Sequence, residues 1–99
     1  SKLSLQITTE AMEDLEDIVL YSIEKWGLPQ AKTYLLYIED SMDLLTLNPK
    51  IGKQAYELLA GCYCFPVKKH IIFYRTTKTQ LEIIRILHER SNYKIHFQN

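Results

Sequence analysis

The chain reads as an α+β protein: an N-terminal strand, a two-helix antiparallel hairpin, then a three-stranded antiparallel sheet that carries the hairpin on one face. Three observations predict this. Apolar residues recur at helical spacing across residues 11–45. After residue 60 the period becomes that of strands, and aromatic and β-branched side chains dominate. The segments are separated by short loops, which keep neighbours in sequence close in space.

The elements follow in order. Leu3, Leu5 and Ile7 alternate with Ser4 and Gln6, the pattern of a short half-buried strand. Thr8 or Thr9 can cap the helix that follows, and Glu10, Glu13 and Asp14 put negative charge at its N-terminal end, where the helix dipole favours it. Ala11, Leu15, Ile18, Val19, Ile23 and Trp26 form its apolar face. Gly27 stops this helix and Pro29 opens the next. Ala31, Tyr34, Leu35, Ile38, Met42 and Leu45 make a second apolar stripe, ended by Asn48-Pro49. Residues 50–60 form a connector with a short helical turn around Tyr56 to Leu59. Strands are predicted at Tyr63 to Val67, His70 to Thr76 and Leu81 to Leu87, joined by loops of hairpin length. In the tail, Glu89 to Asn99, the residues Tyr93, Ile95 and Phe97 alternate, so it is either a last short strand or an unanchored end. Trp26 is expected in the core, so that Trp26→Ala would cost about 3–5 kcal/mol.

Ninety-nine residues are one domain's worth of chain, so residues 1–99 are expected to form a single domain. The hydrophobic fraction of 46% and charged fraction of 24% exclude a disordered or low-complexity chain. No apolar run reaches membrane-spanning length, and no basic-then-apolar leader opens the sequence; a cytoplasmic protein without a membrane partner is expected. Twelve basic residues balance twelve acidic ones, but unevenly: residues 1–60 carry five lysines against ten carboxylates, and residues 61–99 carry seven cations against Glu82 and Glu89. His70, His88 and His96 also lie in the basic part. Such asymmetry points to an acidic partner or nucleic acid, or to two differently solvated faces.

Most catalytic constellations are missing. Ser22, Ser41 and Ser91 lie in no nucleophile elbow, and Gly27, Gly52 and Gly61 are too scattered for a phosphate loop. Cys62 and Cys64 are too few for a disulfide framework or a four-ligand zinc site, so reduced thiols, no metal and no cofactor are expected. The acidic residues of the first helix read as a solvated face. The basic strands are the candidate for function: Arg75 and Arg85 fall on neighbouring strands, with His88 and Arg90 where the last strand ends. Arginine forks suit phosphate or carboxylate, and a histidine can move a proton. Arg85→Ala or Arg90→Ala is therefore expected to change function more than stability.

These residues resemble a family. Ala11-x-x-Asp14-Leu15-x-x-Ile18-x-x-Tyr21 is similar to the first helix of ParE-type toxins of the RelE/ParE superfamily. Trp26-Gly27 and Ala31-x-x-Tyr34 fit the second helix; Pro49-x-x-Gly52 and Gly61 with Phe65 fit the connector and first hairpin strand. Ile72-Phe73-Tyr74-Arg75 and Ile84-Arg85-Ile86-Leu87-His88 are the most specific matches, and the resemblance covers residues 3 to 92.

The resemblance implies the toxin of a type II toxin–antitoxin pair. It would inhibit DNA gyrase, be neutralised by a ParD-like antitoxin, and meet operator DNA only through that antitoxin. The basic residues Arg75, Arg85, His88 and Arg90 are then the candidate target contacts. The resemblance places antitoxin contacts in the groove between hairpin and sheet, bordered by Leu15, Val19, Tyr34, Phe65 and Phe73. The alternative within the superfamily is a ribosome-dependent messenger-RNA endonuclease, for which Lys53, Arg85, His88 and Tyr93 match by location. A further alternative is a degenerate toxin kept as a repressor partner. This sequence departs from the family at Gly61-Cys62-Tyr63-Cys64-Phe65, where Tyr63 holds the usual arginine position. A neutral phenol does not stabilise phosphate charge as a guanidinium does, which weakens the nuclease alternative.

Overall fold

The structure is a computed structural model and describes residues 2–97. Its elements are β1 (Ser4–Ile7), α1 (Thr9–Trp26), α2 (Leu28–Leu47), β2 (Lys53–Gln54), β3 (Tyr63–Val67), β4 (His70–Thr76), β5 (Gln80–His88) and α3 (Tyr93–His96). The helical hairpin and the three strands β3, β4 and β5 stand as the sequence predicts. The sheet has five strands in the order β1-β5-β4-β3-β2. β1 lies parallel to β5, with Ser4 opposite Gln80 and Ile7 opposite Ile83; the other pairings are antiparallel.

Each helix boundary has a local cause. Thr8 caps α1, its hydroxyl oxygen accepting the Ala11 N–H at 3.1 Å. Gly27, at φ 91°, ends α1 and begins α2 in one residue, a backbone state that side-chain-bearing residues rarely adopt. Pro29 then sits in the first turn of α2, where its missing N–H costs nothing. The buried faces are Ala11, Leu15, Ile18 and Ser22 on α1 and Ala31, Ile38, Met42, Leu45 and Thr46 on α2. They pack on Ile72, Tyr74, Leu81, Ile83 and Ile86 of the sheet. Strand alternation sends Phe73 and Leu87 to the other face, where a smaller cluster forms with Ala55, Cys62, Leu58 and Leu59.

Three expectations are corrected. The connector forms no helix at Tyr56 to Leu59; it holds the two-residue edge strand β2 followed by turns. The tail is neither a strand nor an unanchored end: α3 folds back, and Tyr93 and Phe97 both stand edge-on to Phe73 at 5.2 Å. Residues 98–99 of that tail lie outside the described residues. Trp26 is not in the core but 47% exposed. As the last residue of α1, it stands at the wall of a surface groove that also reaches Tyr34 and His70. Trp26→Ala is therefore expected to keep the fold and cost about 1 kcal/mol or less, as surface changes do; a thermal melt checks this.

Candidate functional site

The first predicted cation is held inside the protein. Arg85 donates from Nε and Nη2 to the two carboxylate oxygens of Asp14, each at 2.8 Å. The side chains are only 19% and 12% exposed. Asp14 Oδ2 also accepts the Ile86 N–H at 2.9 Å. β1 stops at Ile7 opposite Ile83, so that side of β5 has no strand beyond it, and a bulge leaves Ile84 without a partner on β4. The Thr8 hydroxyl donates to the Ile84 carbonyl at 2.9 Å. The start of α1 thus satisfies backbone groups at the bulge of β5, through Thr8 and Asp14. Asp14 is not part of a solvated face, and Arg85 is not a free recognition fork.

The other candidates are dispersed. Arg75 pairs across the hairpin with Glu82 at 3.1 Å, exposed on both sides. Arg90 is exposed and forms no ion pair among the described residues. Lys53 stands on the edge strand β2, with β3 and β4 between it and β5. Tyr93 lies on α3, packed on Phe73, and its hydroxyl donates to the Glu89 carbonyl. Lys53 lies opposite Cys64, which packs in the same cluster as Tyr93, whereas Arg85 is bound to Asp14 and His88 stands against His70. Tyr63, at the arginine position of the resemblance, stacks on Tyr74 at 5.8 Å and shares a 3.0 Å hydroxyl contact with Tyr56.

What the fold does assemble is a groove of about 380 Å³ between α1, the start of α2 and the ends of β4 and β5. Ile18, Tyr21 and Trp26 line it from α1, Tyr34 from α2, and His70 and His88 from the strands. Lys25, Lys69 and Asp17 stand at its rim. Of the five residues expected to border such a groove, Tyr34 does so. Leu15 is buried in the main core, Phe65 packs partly buried against that core, and Val19 is half-buried on α1. Phe73 is buried on the opposite face of the sheet.

One wall is built from hydrogen-bonded rings. The Tyr34 hydroxyl lies 2.6 Å from His70 Nδ1 and accepts the Lys69 N–H at 3.2 Å. A phenol that accepts from the backbone still has its own proton to give, and Nδ1 of a neutral imidazole can accept it. His88 stands edge-on to His70 at 5.3 Å, and its Nδ1 accepts the Arg90 N–H. Burial pulls His70 down to about 4, with His88 acting in the same direction against Glu89 and Asp14. An unfolded chain takes up that proton near pH 6.5. The stability His70 contributes is therefore full above pH 6.5 and is lost as the pH falls through about 4. His70→Gln, which keeps an acceptor but cannot charge, is expected to flatten the fall of melting temperature across that window.

The cysteines offer no nucleophile. Burial pushes the Cys62 thiol up to about 11 and raises Cys64 in the same direction, so neither is a thiolate at neutral pH. Among the described residues there is no cluster of three or more metal-ligating side chains, and no helix long and apolar enough to cross a membrane.

The frame is thus a helical hairpin laid on a mixed sheet whose first strand runs parallel to its last, with an open groove at its side. The family profile described as "ParE toxin of type II toxin-antitoxin system, parDE" matches residues 5–93, and the chain belongs to this family. It is 32% identical to Toxin ParE1 of Caulobacter vibrioides over 91 residues, covering 92% of this chain and 94% of that protein. It is 31% identical to Toxin ParE1 of Mycobacterium tuberculosis over 85 residues, covering 85% and 87%. Among solved structures, it resembles a chain of the chromosomal ParDE TA system from P. aeruginosa, with a TM-score of 0.77 and 20% identity over 88% of this chain and 96% of that one. A chain of the toxin–antitoxin complex RelBE2 from Mycobacterium tuberculosis gives a TM-score of 0.63 and 21% identity over 89% and 99%.

Proposed function

We propose that this ParE-family toxin acts by binding rather than by cutting: it inhibits DNA gyrase in the cytoplasm and is held inactive by a ParD-like antitoxin. One observation carries this reading. The arginine a nuclease would use is already engaged: Arg85 is held by both carboxylate oxygens of Asp14, and the other arginine position of the resemblance carries Tyr63. Phosphoryl chemistry needs acid, base and charge stabiliser around one phosphorus, and a guanidinium closed on a carboxylate does not supply the last of these. The open groove of about 380 Å³ instead suits a protein segment, and a segment that orders on binding can fill it with alternate side chains. In this reading operator DNA is met only through the antitoxin, and no cofactor takes part.

Purified toxin added to gyrase and supercoiled plasmid is expected to block supercoiling and accumulate cleaved DNA, and prior addition of the antitoxin to abolish both effects. Unimpaired supercoiling together with codon-phased cuts in ribosome-bound messenger RNA would transfer the chain to the nuclease branch.

A further inference from the structure

The junction of α1 and α2 carries an arrangement that core packing does not require. Trp26 is 47% and Tyr21 50% exposed, their rings edge-to-face with centroids 6.1 Å apart. Lys25 Nζ stands 5.6 Å from both ring centroids. Around Trp26 the groove continues into a second concavity lined by Tyr34, Lys68 and Lys69. Half of each ring's surface forgoes burial, and here the exposed rings are interleaved with lysines. We propose that this surface binds single-stranded DNA, with a base stacked on Trp26 and backbone phosphates met by Lys25 and Lys69.

The chemistry selects that ligand. Every base has a π-face, and stacking on an aromatic ring is indifferent to sequence. Lysines pair with phosphates as point charges and need no fixed fork. Lys25, Lys68 and Lys69 outnumber the two carboxylates at the rim, Asp17 and Glu89. The Tyr34 hydroxyl is committed to His70 and to the Lys69 N–H, which fixes that wall before any ligand arrives. A duplex keeps its bases inside the stack and presents no face to Trp26, so a single strand is the species that fits. The choice of DNA over RNA rests on the gyrase reading above, in which opened DNA strands are the nucleic acid at hand.

Trp26 is the only tryptophan of the chain, so its fluorescence reports this surface alone. The full chain titrated with a short oligothymidylate is expected to show quenching that saturates. Raising salt from about 50 to about 200 mM should weaken binding roughly sevenfold, the effect of displacing counterions from two phosphates of a single strand. Lys25→Ala and Lys69→Ala should each reduce the salt slope. With a fluorescein-labelled strand read by anisotropy, Trp26→Ala should bind roughly tenfold more weakly or worse. Absence of saturable quenching, equal binding of a blunt duplex, or affinity unchanged in the lysine variants overturns the site, and preference for oligouridylate overturns the choice of DNA. The gyrase assay separates the two proposals: wild type that binds the strand but leaves gyrase untouched retains the site and loses the gyrase reading. Trp26→Ala that loses the strand yet inhibits gyrase fully retains the gyrase reading and overturns any part of this surface in it.

Discussion

Asp14→Ala is expected to remove about 3–5 kcal/mol of stability, a large share of the roughly 5–15 kcal/mol that holds a domain of this size together. Two groups lose their partner at once. The Arg85 guanidinium keeps its charge in a part-buried position without a counter-ion, and the Ile86 N–H beside the bulge has no acceptor. An unpaired buried charge costs far more than the net worth of the pair it came from. Asp14→Asn should cost less, because the amide oxygen still accepts from Ile86. Arg85→Ala should cost less as well: the carboxylate left behind retains the Ile86 N–H. Urea denaturation at unchanged slope gives the ranking Asp14→Ala, then Arg85→Ala and Asp14→Asn. A loss below about 1 kcal/mol for Asp14→Ala would reduce the contact to an ordinary surface pair. The ranking also alters how Arg85 variants are read. Any loss of toxicity in Arg85→Ala has to be compared with its melting temperature before a role at the target is assigned.

Periodicity was enough to predict the helices, the three long strands and the strand that precedes them, because each buries one face and alternation or helical spacing records burial directly. It was blind to features set by pairing across the chain. β2 is two exposed residues, Lys53 and Gln54, with no apolar pattern at all; its strand geometry comes from β3 beside it. Asp14 looks like its acidic neighbours on α1, and only its place beside β5 beyond the end of β1, where the Ile86 N–H and Arg85 meet it, turns it into a buried partner. Trp26 continues the apolar stripe in sequence, yet the helix ends there and its ring stands at the groove. A tail of alternating Tyr93, Ile95 and Phe97 reads as a strand, but Tyr93 and Phe97 are four apart and share one helical side, which Phe73 receives. Of the groove's lining, Tyr34 and His88 were singled out in the sequence, but not their meeting: the two histidines and Trp26 come together through tertiary contacts at the ends of three elements.

Gly52→Ala is expected to cost about 3 kcal/mol, through a contact that neither glycine nor tyrosine alone announces. The phenol of Tyr74 is fully buried and ties the connector to the sheet: it donates to the Pro49 carbonyl at 2.8 Å and accepts the Gly52 N–H at 3.1 Å. A methyl group at position 52 would lie 2.9 Å from two ring carbons of Tyr74 and closer still to its oxygen. No low-energy rotamer shift relieves this, because the ring is packed against Tyr63 and the helices. Overpacking of this kind costs about 1–3 kcal/mol, and displacing the phenol also strands the Pro49 carbonyl and the residue 52 N–H at about 1–3 kcal/mol for an unsatisfied group. Tyr74→Phe alone loses only the second part. The double variant Gly52→Ala with Tyr74→Phe should therefore be less destabilised than the sum of the singles, since the hydrogen bonds can be lost only once and the closest clash goes with the oxygen. Additive losses would mean that residue 52 and the phenol act independently. The same phenol provides an alkaline check: burial pushes it up to about 12 from 10.0, so its contribution is complete below pH 10 and disappears as pH rises through about 12. Tyr74→Phe should lose less stability than wild type across that interval.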